Sequence, residues 1–197
     1  ETLEVTSVVP LSDAPGDAAE PATGVTRDPH FWLDPHRLSA VVDAVTERLA
    51  AAAPDRASAF HQRAEALKAE LTALDADYRA GLIGCERTEF VTAHAAFGYL
   101  ADRYGLEQIP IAGVSPDQEP PPARLREIQQ LVTQRGITTI FFESLLSADL
   151  ADTIARDTGA STAVLDPVEG IKDTATDDYF SVMRSNLAAL RKALSCP

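Results

Sequence analysis

Ionisable side chains close three short apolar runs. His94 ends Val91-Thr92-Ala93-His94, Glu143 ends Ile140-Phe141-Phe142-Glu143, and Asp166 ends Val164-Leu165-Asp166, ahead of Pro167. If those runs are strands of one open parallel sheet, their carboxyl ends share a rim, and ligands bind in such sheets beyond that rim. Further imidazoles lie in Arg27-Asp28-Pro29-His30-Phe31-Trp32-Leu33-Asp34-Pro35-His36. Imidazole nitrogens with a carboxylate are a zinc-binding set, and the same donors hold nickel or copper. Each residue also has a plainer reading. A lone histidine after a strand is commonly structural, Asp before Pro commonly starts a turn, and Glu143 suits a helix cap. His30 sits in an extended stretch beside the only tryptophan, whereas His36 falls in a first helical turn. Spacing does not choose between them, and both suit exposed loop positions. Three protein ligands with an open fourth position also describe a zinc hydrolase, with Glu143 as general base. The chain has no HExxH, no GxSxG and no evident oxyanion arrangement to support that alternative.

The elements that must position these groups are legible as periodicities. Asp34-Pro35 is a helix start, with Asp34 as cap and Pro35 in the first turn. Leu38, Val41, Val42, Val45 and Leu49 then repeat at helical spacing until Pro54-Asp55 interrupts. A longer helix carries Phe60, Ala64, Leu67, Leu71, Leu74 and Tyr78 on one stripe and predicts a spine of roughly 35 Å. From Gly81 onward the pattern alternates. Strands are predicted at 89–93, 108–112, 138–142 and 162–165, and helices near 99–104, 123–135, 148–158 and 178–194. That alternation predicts an α/β fold in which a parallel four-stranded sheet is flanked by helices on both faces. Before all this, the run Leu3 to Val9 reads as a short strand, and Ser12 to Thr26 as a mobile acidic loop.

Composition narrows the function classes. Acidic residues outnumber basic ones by 30 to 17, for a formal net charge of −13. Nucleic-acid backbones and anionic membrane surfaces are therefore repelled, and a small cation is the better partner. No apolar run is long enough to span a bilayer, and Glu1 opens without the basic-then-apolar start of a secretion signal. The protein is then cytosolic, or exported with its signal removed. Two cysteines, Cys85 and Cys196, lie far apart; they are either free buried thiols or, in an oxidising compartment, a disulfide.

The segments Asp28-Pro29-His30-Phe31-Trp32-Leu33-Asp34-Pro35, then Val91-Thr92-Ala93-His94-Ala95-Ala96-Phe97-Gly98-Tyr99-Leu100, then Leu165-Asp166-Pro167, resemble the zinc-binding receptors of ABC importers, in the manganese and zinc receptor cluster. Ser115 to Pro120 and Asp178 to Met183 also look like family segments. The resemblance runs from about residue 1 to the end. It implies a two-lobed receptor with the metal between β/α lobes joined by a long helix. On that pattern residues 1–33 are a remnant of the N-terminal lobe with the acidic loop and the His30 segment, 34–80 are connecting helices, and 81–197 are the C-terminal β/α lobe. Most of the first lobe, with a further histidine ligand, is expected to be missing. Carried over by position, His30 and His94 are imidazole ligands and Asp166 a carboxylate ligand of Zn2+, the transported species. The resemblance further implies a protein that is not an enzyme, an extracytoplasmic location, an ABC membrane permease as partner, membrane attachment only through an N-terminal anchor, and a Cys85–Cys196 disulfide. In manganese-type relatives the position of His94 is usually a carboxylate, so His94 points to zinc, whose preference for imidazole agrees.

Overall fold

Four short strands organise the chain, and a computed structural model describes residues 2–14, 26–115, 120–143, 148–171 and 173–197. The strands are β1 (Glu89–Thr92), β2 (Glu107–Pro110), β3 (Thr139–Phe142) and β4 (Ser161–Val164), and the helices are α1 (Pro35–Ala52), α2 (Ala57–Gly81), α3 (Gly98–Tyr104), α4 (Pro122–Arg135), α5 (Asp149–Thr158) and α6 (Tyr179–Ala193). The sheet order is β2-β1-β3-β4, with every pairing parallel. This is the predicted α/β architecture.

Successive side chains of a strand point to opposite faces, and here that splits the core in two. Phe90 and Phe141 pack with Leu74 and Tyr78 of α2, Leu100 of α3 and Met183, Leu187 and Leu190 of α6. Val91 and Ile140 pack on the other face with Ile128 and Val132 of α4 and Ile154 of α5. Burying each of these side chains contributes about 1.5–3 kcal/mol relative to leaving it exposed.

The helix starts follow their caps. Asp34 accepts hydrogen bonds from the backbone N–H groups of His36 and Arg37, and Pro35 occupies the first turn of α1. Asp178 and Ser181 form a reciprocal capping box at α6. The spine helix α2 is fastened at its far end, where buried Tyr78 donates its hydroxyl to Met183 O at 2.7 Å and stacks on Tyr104. Arg103 of α3 reaches Asp75 of α2 at 2.7 Å and the α1 cap Asp34 at 3.1 Å. These ion pairs tie α1, α2 and α3 together just beyond the His30 segment. Cys85 and Cys196 are joined as a disulfide, which settles the alternatives left by the sequence.

One element differs from expectation. Leu3 to Val9 is not a strand; Val5–Ser7 forms a single 3-10 turn, and Val9 packs with Phe31, Val41 and Tyr99. Among the described residues no strand lies alongside it to take up its backbone groups, while the Ser7 hydroxyl bonds locally to Glu4 O, the competition by which short polar side chains displace extended structure. The predicted acidic loop falls mainly on residues 15–25, outside the described residues, as does most of the Ser115 to Pro120 segment. Among the described residues no helix is long and apolar enough to cross a membrane.

Candidate metal centre

The order β2-β1-β3-β4 reverses direction at β1: the chain leaves β1 for β2 on one side and later enters β3 on the other. The carboxyl ends of β1 and β3 therefore flank the switch point at which open parallel sheets bind ligands. His94 lies two residues beyond β1, and Glu143 directly follows β3. The His94 carbonyl accepts hydrogen bonds from Thr92 Oγ1 at 2.8 Å and Gln108 Nε2 at 2.9 Å, which fixes the backbone. Its ring is fixed from behind, where Nδ1 meets the Glu143 carboxylate in a short contact. Both residues are buried, 1% and 4% exposed.

His30 arrives from the other end of the chain and is held by the same device. Its backbone N–H donates to Asp28 Oδ1 at 2.9 Å, and Nδ1 meets the same oxygen at 2.6 Å. Asp28 is itself placed by Tyr99 of α3, whose hydroxyl donates to Asp28 O at 2.8 Å. Gly98 permits this approach, since a Cβ there would lie 3.2 Å from Asp28 Oδ2. The two imidazoles meet edge to face with centroids 5.3 Å apart. In each ring a carboxylate holds Nδ1, which leaves Nε2 as the free donor; a carboxylate behind a histidine is the usual outer partner of a metal-ligating ring.

Both Nε2 atoms turn toward Glu169, in the loop after β4. Its Oε1 lies 3.0 Å from His30 Nε2 and 3.7 Å from His94 Nε2. Candidate donor atoms of His30, His94 and Glu169 all fall within 4.8 Å of one another. Tetrahedral zinc with bonds of about 2.0–2.2 Å requires donor separations of roughly 3.3–3.6 Å, and the two measured edges bracket that range. Among the described residues, His94 Nε2 is the buried side-chain polar atom that lacks a hydrogen-bond partner. A buried nitrogen of this kind costs free energy unless something binds it, and a cation does so.

The electrostatics match. Burial pulls the pKa values of both histidines down, but the carboxylates outweigh it: Asp28 and Glu169 raise His30, and Glu143 and Glu169 raise His94 to about 9. Hydrogen bonding to the two histidines holds Glu169 down at about 2. The cluster is a negative cradle that takes up positive charge, from protons or from a metal.

The sequence-derived candidates divide. His30 and His94 are brought together. Asp166 is not among the clustered donors; its Oδ1 accepts the backbone N–H of Val168 at 2.8 Å. His36 is exposed on the first turn of α1, where its backbone N–H serves the Asp34 cap. Glu143 cannot serve as a general base while it holds His94 Nδ1 at 4% exposure. Sequence reasoning missed Glu169 and Asp28. The available signals were the second carboxylate three residues past Asp166, and an acidic residue two before His30, where a side chain can bond the backbone two residues on.

Known proteins are similar to this chain over most of its length. AdcA of Streptococcus pyogenes serotype M6, described as a zinc-binding protein, is 44% identical over 167 residues, covering 83% of this chain and 32% of AdcA. ZnuA of Bacillus subtilis, described as a high-affinity zinc uptake system protein, is 39% identical over 170 residues, covering 85% of this chain and 53% of its own length. This chain thus spans between about a third and a half of those relatives. The crystal structure of a Zn(II)-bound mutant variant of AdcAII from Streptococcus pneumoniae superposes with a TM-score of 0.86 at 32% identity, over 98% of this chain and 70% of that one. The model of the periplasmic component A of zinc-uptake complexes matches residues 1–193, and the chain belongs to that family, ZnuA.

Proposed function

We propose that His30, His94 and Glu169 hold a zinc ion that the protein captures outside the cytoplasm and passes to the membrane permease of an ABC-type importer. The observation that carries this reading is the buried His94 Nε2, which has no hydrogen-bond partner and faces a carboxylate shared with a second imidazole. Two neutral imidazoles and one carboxylate suit zinc, whereas manganese favours more oxygen. The acidic balance of the chain favours cation capture, and its relatives AdcA and ZnuA are a zinc-binding and a zinc-uptake protein. Glu169 takes the ligand role that the sequence pointed to at Asp166. The fourth position of the tetrahedron belongs to a further donor or to water.

The protein acts as a receptor and not as an enzyme. With Asp28 and Glu143 both engaged behind imidazoles, neither is free to activate a water. On this reading residues 1–33 bring His30 from the side of the N-terminal lobe, 34–80 are the connecting helices, and 81–197 supply His94 and Glu169. A zinc ion so held ties segments far apart in the chain, which is how a cargo ion stabilises the loaded form of a receptor.

Calorimetric titration with zinc tests this directly. The intact protein should bind one zinc at this site, and His94→Ala should abolish that binding. Unchanged affinity in His94→Ala would overturn the ligand assignment.

A further inference from the structure

The turn that carries Glu169 adopts a backbone that its residue type resists. Val168 has φ of 57°, in the left-handed region that a β-branched residue rarely enters. Such a conformation persists only where surrounding contacts impose it, and here they are identifiable. Asp166 Oδ1 accepts the Val168 N–H at 2.8 Å. Asn186 of α6, 2% exposed, brackets the backbone of Asp166: its Oδ1 accepts from Asp166 N at 2.8 Å and its Nδ2 donates to Asp166 O at 2.7 Å. Trp32, from the His30 segment, donates its indole N–H to Pro167 O at 2.8 Å. Three consecutive residues are thus pinned by groups from α6, from the distant His30 segment and from Asp166 itself.

Glu169 follows directly. The two histidine side chains are buried to 1–2% exposure and braced by their own carboxylates, while the Glu169 side chain is 31% exposed. Packing alone does not fix it, so its aim toward His30 and His94 depends on the turn before it.

We infer that Asp166 and Asn186 are positioning residues for the zinc carboxylate: they hold the turn at Val168 in its left-handed form so that Glu169 reaches the two imidazoles. This rests on the reading of Glu169 as a zinc ligand. It gives Asp166 a different task from coordination, in which its oxygen acts as an acceptor of the Val168 N–H.

Zinc affinity of the intact protein, measured by competition titration for Asp166→Ala, Asp166→Asn, Glu169→Ala and the Asp166→Ala/Glu169→Ala double variant, separates the possibilities. The visible spectrum of the cobalt(II)-loaded forms serves as a coordination readout. Asn keeps an oxygen able to accept from Val168; Ala does not. Expected are a loss of about tenfold or more in Asp166→Ala, affinity and cobalt spectrum close to wild type in Asp166→Asn, and no further loss when Asp166→Ala is added to Glu169→Ala. Adding Val168→Gly to Asp166→Ala should regain affinity, since glycine adopts positive φ unaided; this also separates misplacement of Glu169 from general unfolding. The inference is overturned if Asp166→Ala binds like wild type, or if Asp166→Asn loses as much as Asp166→Ala, as a ligand would. Wild-type affinity in Glu169→Ala would instead remove the ligand reading on which the inference stands.

Discussion

On the proposed reading, zinc must displace protons from this site, and the geometry says which. In the metal-free protein at pH 7, His94, raised to about 9, holds a proton on each ring nitrogen: Nδ1–H donates to Glu143, and Nε2–H faces Glu169. Zinc needs Nε2, so the Nε2 proton must leave. Glu169, held down at about 2, brings no proton to the exchange. Each pH unit below the His94 pKa then weakens apparent affinity about tenfold, a penalty on the order of 100-fold at pH 7. His30, also raised, adds a second proton and steepens the slope as pH falls through its own pKa. The sign for stability is the reverse. A folded-state pKa above the unfolded value of 6.5 favours the metal-free fold fully below about pH 6.5, and that contribution is lost as pH rises toward 9. Raising pH from 6.5 to 9 should therefore tighten zinc binding while loosening the metal-free protein. Calorimetric titrations in buffers of different ionisation enthalpy count the protons directly, and about one should be released at pH 8 and more at pH 6. Zero proton release at pH 7, with flat affinity between pH 7 and 9, would refute the charge assignment of the cluster.

Two further perturbations probe the supports. Glu143→Gln keeps an acceptor for His94 Nδ1 but removes the charge behind the ring, so zinc affinity should fall on the order of tenfold and the His94 titration, followed by NMR, should move to lower pH. Replacing Cys85 and Cys196 by Ser opens a disulfide that spans 111 residues of sequence; denaturant unfolding should show a loss of up to about 4.7 kcal/mol in the chain-entropy model, with zinc stoichiometry retained, because the bridge lies away from the metal cluster.

The sheet, its flanking helices and the spine were legible because each depends on a few neighbours in sequence. The stripe from Phe60 to Tyr78 needs only the helical repeat, and the α1 start needs only Asp34 with Pro35. Where the sequence misled, the deciding partner was distant or absent. Leu3 to Val9 has strand composition, but among the described residues no strand runs alongside it. His30 and His94 were readable as candidate ligands because each lies in or after a recognisable run and carries a type that zinc prefers. The carboxylate was not. Asp166 and Glu169 lie three residues apart in one turn, both acidic, and the first after the strand is the natural choice by spacing. On the proposed reading, what favours the second is the left-handed backbone at Val168, which that residue type disfavours and no local rule predicts. The two residues before it are held by distant groups: Asn186, twenty residues past Asp166, brackets the Asp166 backbone, and Trp32, 135 residues before Pro167, donates to the Pro167 carbonyl. The two carboxylates therefore do unlike work: Asp166 accepts a backbone N–H, while Glu169 faces the imidazoles. Because Trp32 belongs to the segment that carries His30, the contact that aims the carboxylate also registers one imidazole against it, so the donor set forms only when both ends of the chain are in place.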